Sequence, residues 1–233
     1  MKFITTLINT HKNPLYERML NAWENSVKAN TNAEYEIVRL DPKDYPQCQH
    51  PKNSYVANSV KLNYWAEKIK QESGNICLID GDTVVLKDVE HVFDQDFDIA
   101  FTRRSKGVHI PINGGVLFVK ASPRVHDFFD KWVLTNNEML TNRKLHLHWY
   151  RKYNGINQAS FGYMLERYKS DLKIIQVEGS KYNACDKIDW IGINEDTHIL
   201  HVKSELRVAC INNLGPKQYQ KAVKNWRDYE NSH

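Results

Sequence analysis

The stretch Ile76-Cys77-Leu78-Ile79-Asp80-Gly81-Asp82 decides how this chain is read. Four apolar residues in a row, without polar alternation, mark a strand buried on both faces, as at the centre of a parallel sheet. The run stops at two aspartates flanking a glycine. Open α/β sheets bind ligands outside the carboxyl ends of their strands, so chemistry is expected there. Carboxylates this close repel unless a cation or donors compensate. Gly81 lets the backbone turn between them, and both can reach one divalent ion whose shell is completed by substrate phosphates. Asp-Gly is also a common turn dipeptide in solvent, so the tripeptide needs support from elsewhere in the chain.

Outward from this point, strands and helices alternate. Lys2 to Ile8 reads as a strand. Asn13-Pro14 opens a helix with Leu15, Met19, Leu20, Trp23 and Val27 at helical spacing, and Tyr35 to Leu40 alternates as a second strand. Asp41 to Ser54, with three prolines, reads as loop. Val56 to Gln71 is a helix that Gly74 ends. Beyond the aspartates, Val84 to Leu86, Phe97 to Phe101, Gly115 to Val119, Leu172 to Val177 and Thr197 to Val202 read as strands. Val125 to Leu134, Ile156 to Tyr168 and Tyr219 to Tyr229 read as helices. The pattern predicts a single α/β domain over residues 1–214, with a mostly parallel central sheet flanked by helices, and a C-terminal helix over 215–233 packed on it.

Composition sets the outer limits. The chain has 233 residues, 41% hydrophobic and 26% charged, as in an ordinary globular protein able to bury a core without staples. The formal net charge of +4 is spread along the chain rather than gathered in a stripe, so nucleic acid is not an expected partner. None of the four cysteines forms a CxxC pair, which argues against a zinc ribbon or a thioredoxin-like site. No apolar run reaches membrane-spanning length and the N-terminal one is too short for a signal peptide, so a cytoplasmic enzyme is expected. The last helix carries Tyr219, Ala222, Val223, Trp226 and Tyr229 on one stripe, ringed by Lys217, Lys221, Lys224 and Arg227. Packing on the domain is the expectation for that stripe, with peripheral contact to anionic lipid as the alternative.

Further motifs follow the aspartates. Asn113-Gly114-Gly115-Val116 enters a strand through two glycines, which lets backbone approach a ligand or simply make a hairpin turn. Asn157-Gln158 stands at a helix start, where the amides can bind sugar hydroxyls or cap the helix. His201 ends an apolar strand, and a neutral imidazole there is a candidate metal ligand. Lys203 and Arg207 follow it and suit phosphate. Asp186 and Asp189 share a loop, where either can act as a base, sit in solvent or cap a helix.

In this order the motifs resemble those of GT-A-fold, Rossmann-like glycosyltransferases, most of all the group containing glycogenin and the bacterial lipopolysaccharide galactosyl- and glucosyltransferases. The resemblance covers roughly residues 1–210. It implies a metal-dependent hexosyltransferase moving a sugar from a nucleoside-diphosphate donor, UDP-sugar favoured, to a hydroxyl of a glycan or other acceptor, with retention of configuration. Asp80, Asp82 and His201 would hold Mn²⁺ or Mg²⁺, with Asp80 and Gly81 at the donor. Leu7, Asn9 and Thr10 would line the base and ribose, and Lys61 matches a basic helix residue that touches the donor. Asn113, Gly114 and Gln158 would face the donor sugar, Gln158 as the candidate catalytic side chain. Asp189 is the candidate base should the transfer invert. The chain departs from the family pattern at Asn157, where aspartate is common, and at Ser204 and Arg207, where the late motif has glycine and lysine.

Two alternatives stand beside this. Asp80-Gly81-Asp82-Thr83-Val84 also satisfies the DxDx(T/V) motif of haloacid-dehalogenase-type phosphatases, with Asp80 as nucleophile, although that motif belongs on the first strand. The other is a nucleotide-sugar-binding protein without catalysis.

Overall fold

The structure, a computed structural model, describes residues 1–8, 13–105, 109–212 and 215–232. In chain order its elements are β1 (Lys2–Leu7), α1 (Pro14–Asn30), β2 (Glu34–Arg39), α2 (Asn53–Ile69), β3 (Gly74–Asp80), β4 (Thr83–Val85), β5 (Ile99–Arg103) and β6 (Ile112–Ala121). There follow α3 (Pro123–Thr141), α4 (Arg143–Tyr153), α5 (Asn157–Arg167), β7 (Ile174–Glu178), α6 (Gly179–Tyr182), α7 (Lys187–Ile191), β8 (Ile199–His201), α8 (Ser204–Asn212) and α9 (Gln220–Glu230). Six strands form one sheet in the order β2-β1-β3-β6-β5-β7, and β4 pairs with β8 in a two-stranded ribbon. The contacts β1–β2, β1–β3 and β5–β7 are parallel, while β6 runs antiparallel to both β3 and β5. Five strands therefore point one way and β6 alone points back, consistent with a mostly parallel sheet.

The apolar run of β3 is buried as its sequence demands. Ile76 and Leu78 join a core with Leu62, Trp65 and Phe129 under α2, α3 and α5. Cys77 and Ile79 face the other way, into a core with Phe3, Trp23 and Phe118. Successive strand residues alternate between faces, and helices or loops cover both. A third cluster holds α9 in place: Tyr219, Ala222 and Trp226 pack with Met19, Ala22, Trp190 and Leu206. The apolar stripe is thereby covered by protein, leaving Lys217, Lys221 and Lys224 exposed. The expected boundary at 214/215 touches residue 214, outside the described residues. Among the described residues no helix is long and apolar enough to cross a membrane.

Some elements differ from the sequence reading. The proline-rich stretch before α2 contains two short 3₁₀ turns, Pro42–Asp44 and Pro46–Cys48, each begun by the proline whose fixed φ suits a first helical position. The aromatic stretch His146 to Tyr150 lies in α4. Asn142 starts that helix by accepting the Leu145 N–H at 3.1 Å, and buried Trp149 packs beside Tyr163. His146 is buried and bonded to the Gly155 carbonyl at 3.0 Å, whereas His148 is exposed.

All four cysteines are free and buried. Burial pushes the Cys48 and Cys185 thiols up to about 11 and Cys210 to about 12. A group whose folded pKa is raised contributes stability below its unfolded pKa and loses it as pH rises towards the folded value. Between the ordinary thiol value of 9.0 and these raised values, each buried thiol should lose about 1.4 kcal/mol of stability per pH unit. Denaturant titrations at pH 8 and pH 10 are expected to show the midpoint falling. Equal midpoints would mean that these thiols titrate normally.

Candidate functional site

The carboxyl edge of β1 and β3 is the focus. The two strands are in parallel register with Thr6 opposite Asp80, so the first aspartate ends its strand beside the end of β1. Because β6 runs antiparallel, its first residues, Asn113 to Gly115, return to the same edge. The ribbon brings the late strand in: Thr83 of β4 pairs with His201 of β8, and the Val202 N–H donates to the Asp82 carbonyl at 2.8 Å. Three residues far apart in sequence thus converge. One ligand atom each from Asp80, Asp82 and His201 lies within 4.8 Å of the others.

The charges around them are arranged in pairs. Lys61 Nζ of α2 donates to Asp80 Oδ1 at 2.5 Å. His201 Nε2 lies 3.1 Å from Asp82 Oδ1 and 3.9 Å from Asp80 Oδ2. Arg207 Nη2 bonds Asp82 Oδ2, and its Nε donates to the Val202 carbonyl at 3.3 Å. Burial works to raise the Asp82 pKa, but His201, then Arg207 and Lys61, outweigh it and hold the carboxyl well below its ordinary value. Two carboxylates and one imidazole nitrogen, facing one another at this range, form a donor set that suits a hard divalent cation. The residues fit such an ion.

Two hollows flank the cluster and share Asn58, Lys61 and Asp80. The first lies over the end of β1, between α1 and α2, and is lined by Thr6, Leu7, Ile8, Tyr16, Gly81 and Asp82 among others. Thr6 Oγ1 there is buried without a hydrogen-bond partner. A Cβ on Gly81 would stand 3.2 Å from Leu20 and 3.3 Å from the Thr5 hydroxyl, so the turn between the aspartates leaves little room for a side chain. Arg207 closes one side, its guanidinium 5.9 Å from the Tyr16 ring. The second hollow is lined by Lys52, Ser54, Tyr55, Asn113, Gly114, Gly115, Asn154, Asn157 and Gln158. Gln158 is held at both ends of its amide: Oε1 accepts the Gly114 N–H at 3.3 Å and Nε2 donates to the Tyr153 carbonyl at 2.8 Å.

Of the residues expected from sequence, Leu7, Lys61, Asp80, Gly81, Asp82, Asn113, Gly114, Gln158, His201 and Arg207 are gathered at this edge. Asn9 and Thr10 lie outside the described residues. Lys203 is half-buried, and its charge acts on the Cys185 thiol. Asp189 has another role. It is the third residue of α7 and completes a capping box with Asp186, accepting the N–H of Cys185 at 3.2 Å and of Asp186 at 3.1 Å, and also the Ser105 hydroxyl. The residue is 5% exposed and its carboxylate accepts from these donors, the capping role that the sequence also allowed. Ser204 has φ 51°, the left-handed conformation a glycine adopts freely, at the position where the late motif has glycine.

Sequence reasoning missed Thr6, Tyr16, Asn58 and Asn183. Thr6 and Tyr16 carry no local signal beyond lying near a strand end and on a helix. Asn183 follows a four-residue helix that no periodicity announces.

No family model and no curated protein matches the chain. Solved structures do. The glycosyltransferase GlyE of Streptococcus pneumoniae TIGR4 is 15% identical with a TM-score of 0.59, covering 100% of this chain and 60% of that one. The chain thus spans less than two thirds of the GlyE chain. A glycosyltransferase involved in glycosylation of the major capsid of PBCV-1 is 12% identical, TM-score 0.58, covering 89% of this chain and 96% of that one. The galactosyltransferase LgtC, solved with donor and acceptor sugar analogs, is 10% identical, TM-score 0.51, covering 99% and 95%. The molecule described above has the GT-A fold that these glycosyltransferases share.

Proposed function

We propose that this chain is a metal-dependent glycosyltransferase that moves a hexose from a nucleoside-diphosphate sugar, with UDP favoured, to a hydroxyl of a glycan or other acceptor. The observation that carries the reading is the convergence of Asp80, Asp82 and His201 between two hollows, with Lys61 and Arg207 on either side. Asp80, Asp82 and His201 would hold Mn²⁺ or Mg²⁺, which when bound supplies positive charge to the departing diphosphate. Lys61 and Arg207 add their own charge to the same group, in a site that draws its strength from being preorganised. Thr6 and Leu7 line the hollow for base and ribose. Asn113, Gly114 and Gln158 line the hollow for the donor sugar.

Retention of configuration is part of the proposal. An inverting transfer needs a carboxylate base beside the acceptor. Among the described residues lining the sugar hollow the one carboxylate is Asp80, paired with Lys61. Gln158, its amide oriented by Gly114 and Tyr153, remains the candidate catalytic side chain there. The phosphatase alternative needs its motif at the end of the first strand, whereas Asp80 ends β3.

Thermal melts with a panel of nucleoside diphosphates and their sugars, with and without Mn²⁺, test the reading. A ligand that binds only the folded state raises Tm, by about 2.7 kcal/mol of stability at one hundred times its Kd. A metal-dependent rise with one nucleotide, followed by sugar transfer or slow donor hydrolysis, is expected. Binding without either reaction favours the non-catalytic alternative. Hydrolysis of an aryl phosphate with no nucleotide-dependent shift would revive the phosphatase.

A further inference from the structure

Behind His201 lies a chain of buried side chains that reaches three other elements. His201 Nδ1 lies 2.9 Å from Asn183 Oδ1. Asn183, fully buried, contacts Thr102 Oγ1 at 2.8 Å and Asn113 Oδ1 at 3.0 Å through its Nδ2. Asn113 Oδ1 also accepts the Gly115 N–H at 2.9 Å, and the Thr102 hydroxyl donates to the Asn113 carbonyl at 3.1 Å.

Hydrogen-bond accounting orients every member. A backbone N–H can only donate, so the Asn113 atom facing Gly115 is its oxygen. The Thr102 proton is used on the Asn113 carbonyl, so Thr102 Oγ1 accepts. Both atoms facing Asn183 on that side are then acceptors, and the Asn183 nitrogen must point at them. Its oxygen is therefore the atom against His201, and an oxygen there requires that Nδ1 carry a proton. Nδ1 is thus the ring's donor to Asn183, which leaves Nε2, 3.1 Å from Asp82 Oδ1, as the nitrogen a cation would take.

We infer that Asn183 is a positioning residue: it holds a proton on His201 Nδ1 and fixes the ring orientation that presents Nε2 to a metal ion. The inference rests on the metal-site reading proposed above. It adds that the lock is built from Thr102 on β5 and Asn113 on β6, so the sugar hollow and the cation site share one rigid network. A partner behind a ligating histidine is commonly worth about 10- to 100-fold in metal affinity.

Two readouts test it. The first needs no metal: nitrogen-15 NMR of the histidine rings. His201 Nδ1 is expected to carry a proton in the unaltered protein and to lose that preference in Asn183→Ala. A bare Nδ1 in the unaltered protein overturns the inference. The second is Mn²⁺ binding, read from the electron-spin-resonance signal of the free ion, with His201→Ala as reference. Asn183→Ala should bind about 10- to 100-fold more weakly. Asn183→Asp keeps an acceptor for Nδ1–H but opposes Asn113 Oδ1 with a carboxylate. It should bind Mn²⁺ better than Asn183→Ala while melting at a lower temperature. A merely structural role would rank the two variants for metal as it ranks them for Tm, and that result overturns the inference. Unaltered protein that binds no Mn²⁺ yet keeps the proton on His201 Nδ1 defeats the metal reading and leaves the Asn183 lock in place.

Discussion

Asp82→Ala is expected to lower sugar-transfer turnover by about 10²- to 10³-fold, the effect of removing one preorganised electrostatic partner of a developing charge, about 3 to 4 kcal/mol. The substitution removes a metal ligand and also the shared partner of His201 and Arg207. Steady-state kinetics with the donor found by thermal melts measures the loss, and circular dichroism shows whether the variant is folded. Near-full activity in a folded variant would remove Asp82 from the metal site. Stability should respond in a particular direction. Asp82 has a depressed folded pKa, so its contribution is present above its ordinary value of 3.8 and is lost as pH falls towards the lower folded value. The Tm gap between the unaltered protein and Asp82→Ala is therefore expected at neutral pH and should narrow as the pH falls below 3.8.

Gly115→Ala should cost the site nearly as much without touching a ligand atom. A Cβ at Gly115 would stand 2.5 Å from His201 Cε1 and 2.8 Å from both His201 Nδ1 and Asn113 Oδ1. None of these can retreat easily, because His201 is 3% exposed and Asn113 is 7% exposed. Overpacking a filled site costs about 1 to 3 kcal/mol of stability. The larger effect is on chemistry, since the imidazole is pushed off its line to Asp80 and Asp82. Mn²⁺ affinity is expected to fall by about 10- to 100-fold, with transfer falling alongside it. Gly114→Ala is the control: the nearest atom to its Cβ is Asn157 Nδ2, at an ordinary 3.5 Å. If the two variants bind Mn²⁺ alike, crowding of His201 is not what matters.

These predictions rest on parts of the molecule that differ in how far the sequence reveals them. Local signals were sufficient for the central strand. An uninterrupted Ile76-Cys77-Leu78-Ile79 run has no polar residue to face water, so it has to lie between two covered faces, as it does. The aspartates that end it then fall at the carboxyl edge, and the alternation of strand and helix around them gives the α/β class. Helix α4 was not legible, because Leu145, Leu147 and Trp149 alternate with polar residues as in a strand. The cap from Asn142 and the packing of Trp149 on Tyr163 override that pattern.

By itself, then, the sequence determined the class of fold, the position of the acidic pair at a strand end, and the order of the motifs that follow. Tertiary structure alone decided which of those motifs meet. The reversed direction of β6 brings Asn113 and Gly115 to the edge where β3 ends, and the β4–β8 ribbon sets His201 beside Asp82. Asp189 and His201 look alike in sequence, each a titratable residue near an apolar stretch. One turns inward to cap α7, and the other faces two carboxylates. The physical reason is that burial obliges each polar group to find a partner, and the partners come from elements distant in the chain. Asn183 is the clearest case: its role rests entirely on Thr102, Asn113 and His201, none of them its neighbour in sequence.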